Sequence, residues 1–269
     1  MVSVLLLLKE PNIAIAERNQ EQQEPTAPNV GAGLMRMVWH DLLFIHWKVD
    51  ADQLRKHLPD SLRLDTFNGD TWIGVVPFRM SGVSLRWLPD LPWVSKFPEL
   101  NVRTYVIGPN GQPGVWFYSL DASNALAVKG ARLLYHLNYM HAKIGFERER
   151  QCDCGSWIRY NSQRTHRGEP SAELNVEYRP IGPEYQAAHG TLLDWLTSRY
   201  TLFSADSRGN IFRGDIAHDP WSIRDAQAII HCNTMTEGIE VELPDEQPLL
   251  HFSGLTKVVA GPIRKLASQ

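Results

Sequence analysis

Apolar positions along the chain fall into short runs at strand period, with few stretches at helical period. Leu42-Leu43-Phe44-Ile45-His46-Trp47 is a nearly unbroken apolar run of strand length, as expected for a strand buried on both faces. Asp50 follows as a helix N-cap, and Ala51, Leu54 and Leu58 give a short helical stripe that Pro59 ends. Leu62–Asp65 reads as a strand, Asn68-Gly69 as a hairpin turn, and Trp72–Met80 as the returning strand. Between Leu88 and Pro98, three prolines beside Trp87 and Trp93 predict an irregular loop that could cover a cavity.

The stretch Glu99–Val106 alternates cleanly. Leu100, Val102, Thr104 and Val106 share one face, and Glu99, Asn101, Arg103 and Tyr105 share the other. Such a polar face is either a solvated edge or the wall of an enclosed site whose charges must be paired or meet a ligand. After a turn at Pro109-Asn110-Gly111, Gly114–Leu120 is the partner strand. Ser123–Tyr139 is the best helix candidate, with Leu126, Gly130, Leu133, Leu134 and Leu137 on one side. Strands are expected at 142–146, 156–163, 173–178 and 250–259, a second helix at 192–200, and a hairpin across Ser207-Arg208-Gly209-Asn210. Many short strands with two helices predict a single β-rich domain closed on itself.

Residues 1–36 differ in composition. An apolar run from Val2 to Leu8 lacks a basic segment before it and is too short to span a membrane. Glu17–Gly33 is rich in Gln, Glu, Pro and Ala. A disordered leader is expected there, or one added by a start assigned upstream of Met35 or Met37, with the folded domain over 37–269.

Composition narrows the functional classes. A 269-residue chain that is 43% hydrophobic can bury a substantial core. Its net charge of −3 offers no phosphate-tracking surface, so nucleic acid is not an expected partner, and neither is a membrane. Three cysteines make no disulfide framework and fit a reducing cytoplasm. Cys152-Asp153-Cys154 is half a metal site at most, so no metal is assigned and no cofactor is invoked. Phosphate loops, dinucleotide fingerprints, His-Glu-x-x-His and nucleophile elbows are all absent from the sequence.

The remaining polar residues are each open to a local explanation. Ser119 and Asp121 end the partner strand, where Asp121 or Ser123 suits a helix N-cap; His136, Asn138 and Arg199 suit helix ends, and His218 beside Pro220-Trp221 suits a turn. Only convergence in one cavity would make them a site.

Phe44-Ile45-His46-Trp47, Leu58-Pro59, Leu64-Asp65, Pro77-Phe78, Glu99–Val106, Phe117–Ala122, Leu196–Tyr200 and His218-Asp219-Pro220-Trp221 together resemble the bacterial YqjF-like family of unknown function, over roughly Met37 to Ile230. That family is similar in fold to acetoacetate decarboxylase. The resemblance implies a closed, strongly bent, antiparallel β-barrel-like sheet with a few helices packed on it and a cavity inside. Acetoacetate decarboxylase works through a lysine kept neutral by an adjacent lysine. The best-matching stretch here reads Tyr135-His136-Leu137-Asn138, so both lysines are missing.

The expected function is therefore a cytoplasmic protein with a cavity for a small carboxylate- or carbonyl-containing molecule and no Schiff-base lysine. Arg103 would hold the carboxylate, Glu99 would serve as acid or base or neutralise Arg103, and His136 would donate to a carbonyl oxygen. Asn101, Tyr105, Ser119, Asn138 and Lys143 are candidate ligand contacts. A non-catalytic sensor or carrier is the alternative, as is a decarboxylase- or aldolase-type lyase using Lys143, or a buried Glu99–Arg103 pair that fixes sheet register. Self-association as a homo-oligomer is left open.

Overall fold

The computed structural model describes residues 27–31, 33–86, 96–125, 128, 130, 132, 135–149 and 156–266. Among the described residues, thirteen strands form one sheet: β1 (Met35–Val49), β2 (Arg63–Leu64), β3 (Thr71–Leu85), β4 (Phe97–Ile107), β5 (Pro113–Ala122), β6 (Tyr139–Arg148), β7 (Ile158–Arg164), β8 (Glu173–Tyr185), β9 (Thr201–Ala205), β10 (Ile211–His218), β11 (Ile223–Asn233), β12 (Leu249–Ala260) and β13 (Arg264–Lys265). Two helices are short, α1 (Ala51–Arg55) and α2 (Leu192–Thr197). Pairing is antiparallel except where β5 runs parallel to β6 and to β9.

The sheet closes on itself twice. One ring runs β1-β3-β4-β5-β6-β7-β8-β11-β12 and back to β1, and the other runs β1-β3-β4-β5-β9-β10-β12. Strands β12, β1, β3, β4 and β5 are therefore a wall between two barrels and need apolar residues on both faces. This explains the unbroken run in β1: Leu43, Ile45 and Trp47 pack in the first barrel, Leu42 and Phe44 in the second. It also explains β4, where Leu100, Val102 and Val106 enter the first barrel and the polar face enters the second.

One irregularity in β1 sets which residues face the second barrel. His40 pairs with Arg79 and Ile45 with Val75, so β1 carries one extra residue against β3. Asp41 has φ 56, and its buried carboxylate pairs with Arg79 and Arg148. The bulge reverses the alternation, so Met35, Met37 and Trp39 before it and Leu42 after it all line the same space.

Most expected elements are observed, with local differences. Asp50 Oδ1 accepts from the backbone N–H of Asp52 at 2.7 Å and of Gln53 at 3.4 Å, capping α1 as expected. Asn68 and Gly69 both have positive φ, as the hairpin turn requires. The expected domain start at 37 falls inside β1, since Met35 and Arg36 already pair with β12 and β3. The expected helix over 123–139 is shorter: Tyr135 is helical, His136 has φ 50, and Tyr139 begins β6. The second helix ends at Thr197 rather than 200; there the Arg199 Nε donates to the Trp195 carbonyl at 2.7 Å, the acceptor a continuing backbone N–H would have used. The expected Trp87–Trp93 loop, the Cys152–Cys154 turn and residues 1–26 of the expected leader lie outside the described residues.

Candidate functional site

The second barrel encloses a cavity of about 120 Å³. Its walls are mostly apolar, with Trp39, Phe78, Phe117, Trp221 and three methionines, and the polar groups Glu99, Asn101, Arg103, Tyr139, Arg199 and His218 converge on it.

Arg103 is its central cation. Gly74 sits opposite it in the β3–β4 register and opposite His46 in the β1–β3 register. A Cβ at Gly74 would lie 3.0 Å from the His46 ring and 3.6 Å from Arg103 Cγ, so glycine here makes room for both side chains. The guanidinium stands 5.6 Å from the Phe44 ring centre and 5.9 Å from that of Tyr105. Nη2 donates to the Leu196 carbonyl at 3.4 Å. Nε is buried with no hydrogen-bond partner, and no described carboxylate forms an ion pair with Arg103. The buried Glu99–Arg103 pair considered from sequence is therefore not formed.

Glu99 bonds elsewhere. Its Oε2 accepts from the Tyr139 hydroxyl at 2.9 Å, and no described residue hydrogen-bonds Oε1. Burial, reinforced by the Asp121 charge and only partly offset by the Tyr139 hydrogen bond, raises its carboxyl from 4.5 to about 8. At neutral pH Glu99 is an uncharged acid.

Arg199 is neutralised. Nη1 pairs with Asp65 at 2.6 Å, and the guanidinium stacks 4.3 Å from the Trp195 ring centre. Its Nη2 and Asn101 Oδ1 are buried without partners.

His218 is held between aromatic rings, 4.6 Å from Trp221 and 4.8 Å from Tyr200 between centres. Its Nδ1 lies 2.7 Å from the Asp219 carbonyl, which can only accept, so Nδ1 carries the proton and Nε2 the lone pair. Nε2 has no partner. Burial, together with Arg103, lowers its pKa from 6.5 against the opposing pull of Asp219.

The other expected site residues go elsewhere. Tyr105 is fully buried beside the cavity; its hydroxyl donates to the Leu196 carbonyl at 3.0 Å and accepts from His46 Nε2 at 2.7 Å. Ser119 lies on the opposite face of β5, because Tyr118 is an extra residue in the β4–β5 register. There it accepts from Arg164, which also clamps Asp121 at 2.7 and 2.8 Å. His136 and Asn138 line a separate, more open cleft of about 480 Å³ with His57, Arg132 and Asp206. The left-handed His136 redirects the chain after the helical turn, and its ring packs 4.4 Å from Phe212. Phe117 and Leu137 line both the cleft and the cavity. Lys143 is exposed on β6, and none of the described lysines lines the cavity. No cluster of metal-ligating side chains occurs among the described residues, nor a helix long and apolar enough to cross a membrane.

Sequence reasoning thus found Glu99, Asn101 and Arg103 but gave Arg199 and His218 local roles. The signal it lacked was the non-local pairing of β9 with β5 and of β10 with β12, which brings residues from the last third of the chain onto the β4 face.

A family described as an uncharacterized conserved protein, DUF2071, matches residues 36–256. An uncharacterized protein YqjF of Bacillus subtilis is 40% identical over 245 residues, spanning 91% of this chain and 97% of that one. Among solved structures, the enduracididine biosynthesis enzyme MppR complexed with pyruvate superposes with a TM-score of 0.60 at 12% identity, covering 90% of this chain and 91% of that one. Acetoacetate decarboxylase from Legionella pneumophila gives a TM-score of 0.57 at 11% identity, covering 88% of each chain. At such identities the likeness is one of fold, and the acetoacetate decarboxylase-like fold expected from sequence is borne out.

Proposed function

The chain belongs to the DUF2071 family of uncharacterized conserved proteins, and we propose that its second barrel is a chamber for a small monocarboxylate, without Schiff-base chemistry. One observation carries the reading. Arg103 is a part-buried cation in a largely apolar cavity without a carboxylate partner among the described residues. The guanidinium is part-buried, and a bound carboxylate would supply the missing counter-charge through a bidentate contact.

Charge and size support a compact monoanion. Arg199 is already matched by Asp65 and Glu99 is neutral near pH 7, so Arg103 is the one unmatched cation among these groups. A cavity of about 120 Å³ is well below the ~300–1,000 Å³ of sites for drug-sized ligands. Pyruvate, with which MppR has been found in complex, is a keto acid of suitable size and charge. The same reading takes the protein as cytoplasmic, with a small-molecule partner and no cofactor.

The test is titration of the protein with pyruvate, 2-oxobutanoate, acetate and neutral acetone, read by calorimetry. The carboxylates are expected to bind and acetone is not. Arg103→Gln is expected to weaken the carboxylates by ~30-fold or more, since truncating one side of a buried charge pair costs about 2–5 kcal/mol. Equal affinity in the folded variant, or no carboxylate binding to the natural protein, would refute the reading.

A further inference from the structure

We propose that His218 and Glu99 are an acid–base pair that enolises a keto acid held by Arg103: His218 Nε2 takes the proton from the carbon next to the carbonyl, and the Glu99 carboxyl gives its proton to the carbonyl oxygen. The inference rests on the carboxylate reading of the chamber and adds a reaction to it.

The geometry supplies the parts. His218 and Glu99 line the same cavity from strands of different origin, β10 and β4. The Asp219 carbonyl fixes the proton on His218 Nδ1, which leaves the lone pair on the unpartnered Nε2. On Glu99, Tyr139 occupies Oε2 as donor, leaving Oε1 to carry the acid proton. Arg103 lies near enough to His218 to help lower its pKa, so a carboxylate on Arg103 would lie within the field of the base. Trp221, Trp39 and Tyr200 pack around the imidazole and restrict the water that would compete for it.

The step balances without an oxidant or reductant. The C–H bond breaks, its electron pair becomes the new C=C bond, and the carbonyl π pair moves onto oxygen. That oxygen forms its O–H bond with the Glu99 proton. His218 becomes imidazolium and Glu99 carboxylate, so total charge is unchanged. Return of a proton from His218 to the same carbon regenerates the keto acid with exchange, and return to a more distant carbon of a conjugated ligand gives an isomer.

The environments of the two groups favour these protonation states at one pH. The charged and titratable groups acting on His218 are Arg103, Asp219 and Tyr200, and those acting on Glu99 are Tyr139, Tyr160 and Asp121. Burial keeps His218 neutral to below 6.5 and keeps Glu99 protonated to about 8. Groups whose surroundings push their pKa values past each other in this way are suited to act as base and acid together.

The experiment follows deuterium entry at C3 of pyruvate and 2-oxobutanoate in buffered D2O by proton NMR, with binding measured in parallel. The natural protein is expected to catalyse exchange on a plateau that ends near pH 8 on the alkaline side, where Glu99 loses its proton, and below pH 6.5 on the acid side, where His218 gains one. His218→Gln is expected to lower exchange ~100-fold or more, the usual weight of a general base, with pyruvate affinity within a few fold. Glu99→Gln should act similarly, whereas Arg103→Gln should lose binding and exchange together. If His218→Gln does not fold, the acid limb of the natural protein's profile still decides: exchange must fall at a pH below 6.5 as His218 gains its proton, and a rate that stays level down to the pH at which the protein unfolds would overturn the base assignment. Keto-acid binding without exchange, or wild-type exchange in His218→Gln, would overturn the acid–base pair and leave the carboxylate chamber standing. No binding at all would remove both.

Discussion

Glu99→Gln is expected to make the protein more stable at neutral pH, which is unusual for a change at the centre of a candidate site. The carboxyl group is 2% exposed and receives one hydrogen bond, from Tyr139. Glutamine has the same shape, and its amide oxygen can accept that bond. What it removes is the titration. Folding carries Glu99 from 4.5 to about 8, so between those values the unfolded chain has released a proton that the folded chain still holds. Stability therefore falls as pH rises through this window, by up to ~1.4 kcal/mol for each pH unit. The accumulated loss has a ceiling of about 3 kcal/mol at pH 7. In a chain of this size that corresponds to a melting temperature ~6–12 °C higher for the variant.

The assay is the difference between the two proteins, measured by urea and thermal unfolding from pH 5 to 8.5. The difference matters because the buried histidines act with the opposite sign. His46, His218, His251 and His40 have pKa values lowered by burial, so the stability they contribute is present above 6.5 and is lost as pH falls toward their folded values. Both proteins carry those histidines, so their effect cancels in the subtraction. The expected difference rises steadily from pH 5 through neutrality and bends toward a plateau above about 8. Parallel pH profiles for Glu99→Gln and the natural protein would show that Glu99 is ionised in the folded state, and the neutral-acid assignment would fail.

Two further predictions concern residues outside the chamber. Arg164→Met strands the fully buried Asp121 carboxylate, whose partner Arg164 is itself only 6% exposed, and should cost about 3–5 kcal/mol in urea unfolding, with much of that recovered in the Arg164→Met/Asp121→Asn double variant; a loss below ~1 kcal/mol would mean the pair is solvated. Lys143→Ala removes an exposed side chain and should change stability by no more than about 0.5 kcal/mol, and borohydride treatment with pyruvate should leave Lys143 unmodified in the natural protein. A reduced adduct there by peptide mapping would restore the lysine mechanism.

What could be read in advance depended on how local its cause was. The β4 alternation, the β1 apolar run, the Asp50 cap and the Asn68-Gly69 turn rest on neighbouring residues, and each is observed. The helix over 123–139 was extended too far because the leucine period continues through Leu137, while the left-handed His136 that ends it has no mark in that period. Ser119, expected as a ligand contact, faces away from the cavity because the extra residue at Tyr118 shifts the alternation of β5 without any glycine or proline to announce it. Arg199 and His218 do make the helix-end and turn contacts expected of them, and their place beside the cavity is a separate matter. Each has a satisfactory local explanation, and only ring closure through β9 and β10 brings them to Arg103 and Glu99.

The treatment of the chain's other buried arginines bears on what the β4 face is for. Arg164 and Arg199 are at least as buried as Arg103, and each is matched by an aspartate within 2.7 Å. This fold evidently can provide a carboxylate where a cation serves packing alone, and in both cases the aspartate comes from an element distant in sequence. Glu99, two residues from Asn101 on the same face as Arg103, could have done the same, yet it bonds Tyr139 and is held neutral. A structural Glu99–Arg103 pair would bring the carboxylate to the guanidinium and lower its pKa. The opposite displacement separates an acid from a cation within one cavity, which is what the proposed carboxylate chamber requires.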